Sequence, residues 1–177
     1  LYPKLGFLFK MAEEILGTSK VEDTKRLYEI IAAVKSRAQA SLTGAGHSTA
    51  VLRATSYSSP MAAFQDEMAG IGYYQFIEKL EKDFDQQKDL IVQELRKLMK
   101  MILRPENFMI SYTGERESLE EVKKLAAHIR QGLNTEPVEK SEKKLICTRR
   151  NEGFKTSGQV QFVAQTGNFK KKGLEYT

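Results

Sequence analysis

The residues that most constrain the fold of this chain lie between Gly44 and Phe76, in the run GAGHSTAVLRATSYSSPMAAFQDEMAGIGYYQF. Gly44 and Gly46 predict the end of the helix before them, because glycine adopts a positive φ angle without a Cβ clash. Ser59 and Pro60 then begin another helix, since proline at the first helical position loses no hydrogen bond. The run therefore predicts a tight helical corner, joined by turns rather than by long loops.

The corner consists mostly of small and apolar residues, which favour close approach of helices. The polar exceptions are His47, Arg53 and Glu67. A charge held near such a corner needs a partner, because buried polar groups are almost always hydrogen-bonded. We therefore predict that His47, Arg53, Tyr57 and Glu67 form a structural corner, in which Arg53 and Glu67 pair, rather than a catalytic site.

Composition bounds the class of protein. The chain has 177 residues, of which 41% are hydrophobic and 29% charged, and this composition argues against a largely disordered chain. No run of 18 apolar residues occurs, so we do not expect a membrane as a partner. The single cysteine, Cys147, excludes an internal disulfide bond and fits a reducing compartment.

The net charge of +5 lies in residues 138–177, which hold nine basic and four acidic residues. A protein that binds nucleic acid usually shows a basic face interleaved with aromatic residues. Here the basic residues flank strand-like runs and a turn. We interpret them as a solvated surface and do not expect nucleic acid as a partner.

Hydrophobic periodicity predicts a helix-rich chain with a few strands. Apolar residues recur at a helical period through most of residues 1–131. Alternating runs predict strands at 107–113, 144–148 and 158–165. Residues 132–143 are polar and contain a proline, which predicts a linker between domains. The expected organisation is a helix-rich partial α+β domain (1–131), a linker (132–143) and the opening strands of a following domain (144–177).

No residue of the sequence can be assigned to catalysis, to a cofactor or to a metal. The histidines are His47 and His128 only, far apart in the chain, whereas one catalytic zinc ion normally needs three protein ligands. No phosphate-binding loop and no Gly-x-Ser-x-Gly nucleophile turn occurs. Cys147 has no companion motif that marks it as a nucleophile.

The runs GHSTAVLRATSYSSP and FQDEMAGIGYYQFIEKL resemble the middle region of the presequence-protease branch of the pitrilysin/insulinase zinc metallopeptidases. The resemblance extends over nearly the whole chain but over only part of the family's length. It implies the later part of the third and the opening of the fourth of four related α+β domains. The expected fold class is therefore α+β, the helix-rich half of a pitrilysin-like domain followed by a short β segment.

The resemblance also implies a function and its limits. The family's inverted His-x-x-Glu-His zinc motif is not in this sequence, and its substrate-binding Arg and Tyr pair would lie beyond Thr177. The implied function is that of a non-catalytic segment, forming chamber wall and interdomain packing, in a zinc-dependent peptidase that degrades unfolded peptides. Its implied partners are the remaining domains and peptide substrates of the parent, and its implied location is the bacterial cytoplasm, or a mitochondrial or other organelle lumen.

A second function class stays open. The chain could be a stand-alone helical module that binds a protein partner, or binds nucleic acid through its basic C-terminal end. We also expect the isolated chain to form a homodimer, because the predicted strands lack neighbours and an unpaired strand edge pairs readily with another copy.

Overall fold

The structure is a computed structural model, which describes residues 2–139, 142–156 and 158–175. In these ranges the chain forms seven α-helices. Their bounds are α1 Leu5–Thr18, α2 Thr24–Gly44, α3 Gly46–Ser56, α4 Pro60–Ala69, α5 Ile71–Lys82, α6 Phe84–Ile102 and α7 Leu119–Gln131. Short 3-10 turns lie at Tyr2–Lys4, Pro105–Asn107, Arg116–Ser118 and Lys170–Lys172.

The helix boundaries at the corner follow the sequence. α2 ends at Gly44, α3 begins at Gly46, and Pro60 is the first residue of α4. The Ser59 hydroxyl accepts a hydrogen bond of 3.4 Å from the backbone N–H of Ala62. This N-cap satisfies one of the N–H groups that the first turn of a helix leaves without an intrahelical partner.

The chain divides into two compact units, one formed by residues 1–24 and 88–140 and the other, here called the corner unit, by residues 25–87 and 141–177. In the first unit α1 packs against α7, and His128 Nε2 lies 3.4 Å from Glu13 Oε1. The buried apolar residues of this unit are Val92, Val122 and Ile129.

In the corner unit the successive helices α3, α4 and α5 pack on one another. The Tyr28 and Phe84 rings meet with their centroids 5.3 Å apart. The buried apolar residues here are Ile31, Ala62, Ile71, Ile77 and Phe84. Among the described helices, none combines the length and apolar character that a membrane span requires.

Part of the predicted linker is bonded to the end of α6. The backbone N–H of Asn134 donates to the Leu103 carbonyl at 3.0 Å, and its side-chain amide donates to the Lys100 carbonyl at 3.0 Å. The Lys100 ammonium lies 3.1 Å from the Glu136 carboxylate. The bonds from Asn134 satisfy carbonyls that the last turn of a helix leaves without partners. The division of the chain at 132–143 into two domains stays a prediction.

The predicted α+β fold class is wrong, because none of the described residues forms a β-strand or a sheet. The three runs predicted as strands lack helical periodicity, as expected, but no second segment pairs with their backbones in the described ranges. Alternation of apolar side chains creates a face, whereas a strand also needs a backbone partner at hydrogen-bonding distance. Side chains of these runs are left exposed instead, with Ile146 at 86% and Val163 at 87% exposure.

These exposed apolar side chains bear on the oligomeric state. We still predict a homodimer of the isolated chain, because contact with a second copy removes such surface from water at roughly 25 cal/mol per Å². Sedimentation equilibrium over a hundredfold concentration range is expected to show a monomer–dimer equilibrium. A monomer at every concentration would contradict the prediction.

Candidate functional site

The polar centre of the corner unit is the guanidinium of Arg53, on α3, whose side chain is only 15% exposed. Its Nη1 donates to Asp66 Oδ2 at 2.6 Å. Its opposite edge grips one carboxylate through two bonds, Nε to Glu152 Oε2 at 2.8 Å and Nη2 to Glu152 Oε1 at 3.2 Å. Bidentate pairs of this kind are among the strongest hydrogen-bonded pairs in proteins.

Asp66 connects Arg53 to the beginning of α5. Its side chain is 4% exposed, and it accepts hydrogen bonds from the backbone N–H groups of Ile71, at 3.0 Å, and Gly72, at 3.1 Å. These N–H groups are in the first turn of α5, where they lack intrahelical partners and where the helix dipole favours a negative charge. The Asp66 carboxylate is therefore held by backbone on one side and by Arg53 on the other.

Two glycines leave room for this carboxylate. A Cβ atom on Gly70 would clash with Asp66 Oδ1 and would lie 2.8 Å from the Asp66 Cα. A Cβ atom on Gly72 would lie 2.8 Å from Asp66 Oδ2. The Gly-Ile-Gly sequence is thus required by the close approach of Asp66 to the start of α5.

Aromatic rings surround the same guanidinium. The Arg53 Cζ lies 5.6 Å from the centre of the Tyr57 ring and 5.7 Å from that of the Phe154 ring, both within the range of cation–π attraction. The Tyr57 hydroxyl donates a hydrogen bond to the Glu152 carboxylate. Arg53, Tyr57, Asp66, Glu152 and Phe154, here called the arginine cluster, form one connected set of contacts.

Charge pairing sets the protonation states in the arginine cluster. Hydrogen bonds from Arg53 lower the pKa of Glu152 from its ordinary value of 4.5 to about 2, against the opposing effect of burial. Burial lowers the pKa of Arg53, but its bonds to Glu152 and Asp66 outweigh burial, so this pKa is raised. Burial, followed by the bond to Glu152, raises the pKa of Tyr57.

The lowered pKa of Glu152 predicts a pH-dependent stability. Because the folded-state pKa lies below 4.5, the stabilisation is complete above pH 4.5 and is lost as the pH falls toward 2. It amounts to at most about 3 kcal/mol, at about 1.4 kcal/mol per pKa unit. Urea denaturation of the wild type and of Glu152→Gln from pH 7 to pH 2 measures it. The two unfolding free energies should converge toward pH 2, and a constant difference would contradict the prediction.

The residues that follow the linker lie along the corner, and 142–156 and 158–169 are here called the C-terminal segment. The Thr166 hydroxyl donates to the Ala54 carbonyl at 2.8 Å, and the Asn168 amide donates to the Ser58 carbonyl at 3.3 Å. The Phe162 ring lies over Gly46, where a Cβ atom would come within 2.6 Å of it. The arginine cluster and these contacts hold the segment against α3.

The four residues predicted for the corner have different surroundings. Arg53 and Tyr57 are brought together, whereas the Glu67 carboxylate is 48% exposed and pairs with Lys143 at 2.6 Å. His47 lies beside Phe162, with ring centroids 6.1 Å apart. Arg53 therefore takes Asp66 and Glu152 as partners in place of Glu67. That the four residues have a structural role stays a prediction.

Sequence reasoning missed Asp66 and Glu152. Asp66 had a signal, since it lies just before Gly70 and Gly72, and two glycines so close indicate that another group approaches the backbone. Glu152 had none, because it is one exposed-looking carboxylate in a charged stretch, 99 residues from Arg53. Among the described residues, no group of three or more His, Cys, Asp or Glu side chains is placed to hold a metal ion.

Comparisons with known proteins agree on one family. The family model for the peptidase-associated region of metallopeptidase family 16, subfamily C, matches residues 1–80, which include α3, α4 and most of α5. Protein HypA of Clostridium perfringens is 30% identical over 177 residues, which is 100% of this chain and 18% of that protein. No solved structure matches the chain at the significance that these relatives reach.

Two further relatives are presequence proteases. Presequence protease 1, chloroplastic/mitochondrial, of Arabidopsis thaliana is 25% identical over 171 residues, 95% of this chain and 16% of that protein. The mitochondrial presequence protease of Yarrowia lipolytica is 28% identical over 106 residues, 59% of this chain and 11% of that protein. The chain thus spans less than a fifth of each relative. Together, the family model and the two presequence-protease relatives show that this chain is a presequence-protease-like segment of the pitrilysin family.

Proposed function

We propose that the chain is a non-catalytic segment of a zinc-dependent peptidase that degrades unfolded peptides, in which it supplies chamber wall and interdomain packing. One observation carries the proposal. The similarity runs along the whole of this chain but along only 18% of Protein HypA, and along 95% of this chain but 16% of the Arabidopsis protease. That pattern is expected of one part of a much longer enzyme.

The arginine cluster supports a structural role. Nε, Nη1 and Nη2 of Arg53 donate to two carboxylates, and Asp66 is further occupied by two backbone N–H groups. The cluster joins α3, α4, the start of α5 and the C-terminal segment. A set of polar groups that bond to one another in this way stabilises the packing of separate segments.

We assign the zinc ion to parts of the parent that lie outside this segment. The described side chains do not fit a zinc site, since they bring no three suitable ligands together. The proposed partners are accordingly the remaining domains of the parent and its peptide substrates. The proposed location is the cytoplasm for a bacterial parent and the lumen of a mitochondrion or other organelle otherwise.

Two measurements test the proposal. The reading frame around this segment is expected to extend in both directions and to encode an inverted His-x-x-Glu-His motif upstream. The tag-free 177-residue chain is expected to retain no stoichiometric zinc after dialysis and to leave a quenched peptide intact. Chelator-sensitive hydrolysis by the chain alone would contradict the non-catalytic role. A frame that starts near Leu1 and stops near Thr177 would contradict the segment assignment and favour a stand-alone interaction module.

A further inference from the structure

We propose that Arg53 and Tyr57 form a carboxylate-binding site that the chain's own Glu152 occupies, and that an extended peptide with an acidic residue two positions before an aromatic can take its place. Glu152 binds as a ligand carboxylate does, with two bonds from one edge of a guanidinium and a third from a phenol hydroxyl. The inference does not depend on the peptidase assignment.

The receptor side of this site is held in place without Glu152. Arg53 and Tyr57 lie four residues apart at the end of α3, so both side chains project from the same face of the helix. Asp66 holds Nη1, and the backbone N–H groups of Ile71 and Gly72 hold Asp66 in turn. The Nε and Nη2 edge therefore keeps its direction when Glu152 leaves, and a preorganised donor pair binds with a smaller entropic cost.

The ligand side is held less firmly. Residues 149–156 are all exposed, and in the described ranges none of the hydrogen bonds between residues 142–156 and the helices joins two backbone groups. Segments fixed by a few side-chain contacts open locally at a much smaller free-energy cost than global unfolding. Glu152 can therefore leave Arg53 while the helices of the corner unit stay folded.

The occupant defines the chemistry that the site accepts. The carboxylate of Glu152 meets the guanidinium edge, Gly153 follows, and the Phe154 ring lies over the guanidinium, with its centre 5.7 Å from Cζ. A ligand thus needs an acidic side chain, a small or extended residue and an aromatic ring, in that order. A tethered ligand competes at an effective concentration on the order of millimolar. A free peptide is consequently detected only when the tethered carboxylate is removed.

The test uses the full chain with Glu152→Ala and a peptide of residues 149–156, RRNEGFKT, with blocked ends. Fluorescence anisotropy of the labelled peptide is expected to show binding at least tenfold tighter to Glu152→Ala than to the wild type. The same peptide with Gln in place of Glu is expected to bind the variant at least tenfold more weakly. Adding Arg53→Met to Glu152→Ala should abolish the difference between the two peptides.

The matched control is Glu142→Ala, which removes an exposed carboxylate from the same segment and should behave like the wild type. Far-UV circular dichroism verifies that each variant is helical, and Glu152→Gln, which keeps the side-chain shape, replaces Glu152→Ala if the latter does not fold. Equal affinity of the peptide for the wild type and the Glu152 variant would overturn the proposal. Equal affinity of the Glu and Gln peptides for that variant would overturn it as well.

Discussion

Asp66→Ala is expected to lower the free energy of unfolding by about 3 to 5 kcal/mol, because it leaves a buried charge without its partner. The Arg53 side chain, 15% exposed, would lose its 2.6 Å bond to Oδ2. The N–H groups of Ile71 and Gly72 would lose their acceptors at the same time. Urea denaturation followed by circular dichroism at pH 7 measures the change.

The neighbouring carboxylate provides the matched control. Glu67 pairs with Lys143 at the surface, where the two side chains are 48% and 73% exposed, so Glu67→Ala is expected to cost less than about 1 kcal/mol. A double-mutant cycle of Arg53→Met with Asp66→Ala should show coupling of about 0.5 to 3 kcal/mol, while the cycle with Glu67→Ala should be additive. Strong coupling of Arg53 to Glu67 would instead favour the pairing expected from the sequence.

Gly70→Ala is expected to lower the free energy of unfolding by about 1 to 3 kcal/mol, the usual cost of forcing an extra group into a packed site. The new Cβ would lie 2.8 Å from the Asp66 Cα, and a backbone atom cannot move aside as the end of a flexible side chain can. The Asp66 carboxylate would also be displaced from the start of α5. Urea denaturation of the variant, compared with the wild type, provides the value.

Gly44→Ala is the control for this substitution. Gly44 is the last residue of α2, has no positive φ angle and has nothing within 4 Å of an added Cβ. Replacing it is expected to be neutral or to stabilise the chain by up to about 1 kcal/mol, since alanine loses less backbone entropy on folding. If both glycine variants change the stability equally, the close approach of Asp66 does not govern this corner.

The local features of the fold were predictable from the sequence. The amphipathic period predicted the helices, Ser59 and Pro60 predicted the start of α4, and the glycines predicted the break between α2 and α3. Each of these signals acts within a few residues, through φ angles, capping bonds or one turn of a helix. The family resemblance was likewise readable from two short runs around the corner, and the comparisons confirm it.

The partners of Arg53 were decided by tertiary structure. Asp66 and Glu67 are adjacent in sequence, but consecutive residues of a helix point about 100° apart, so only one of them can face Arg53. The packing of α3 on α4 selects Asp66, and Glu67 is left at the surface. No local pattern distinguishes two neighbouring carboxylates in this respect.

The same reasoning explains the failure of the predicted strands. Alternation in the C-terminal segment is a property of its sequence, whereas a sheet depends on which backbone lies beside it. In the described part of the chain this segment lies against α3 and the turn after it through Glu152, Thr166 and Asn168, at separations of 99, 112 and 110 residues from their partners. The sequence alone thus determined the helices and the corner, while contacts between distant residues, which depend on how the helices pack, decided what the extended segment and Arg53 bind.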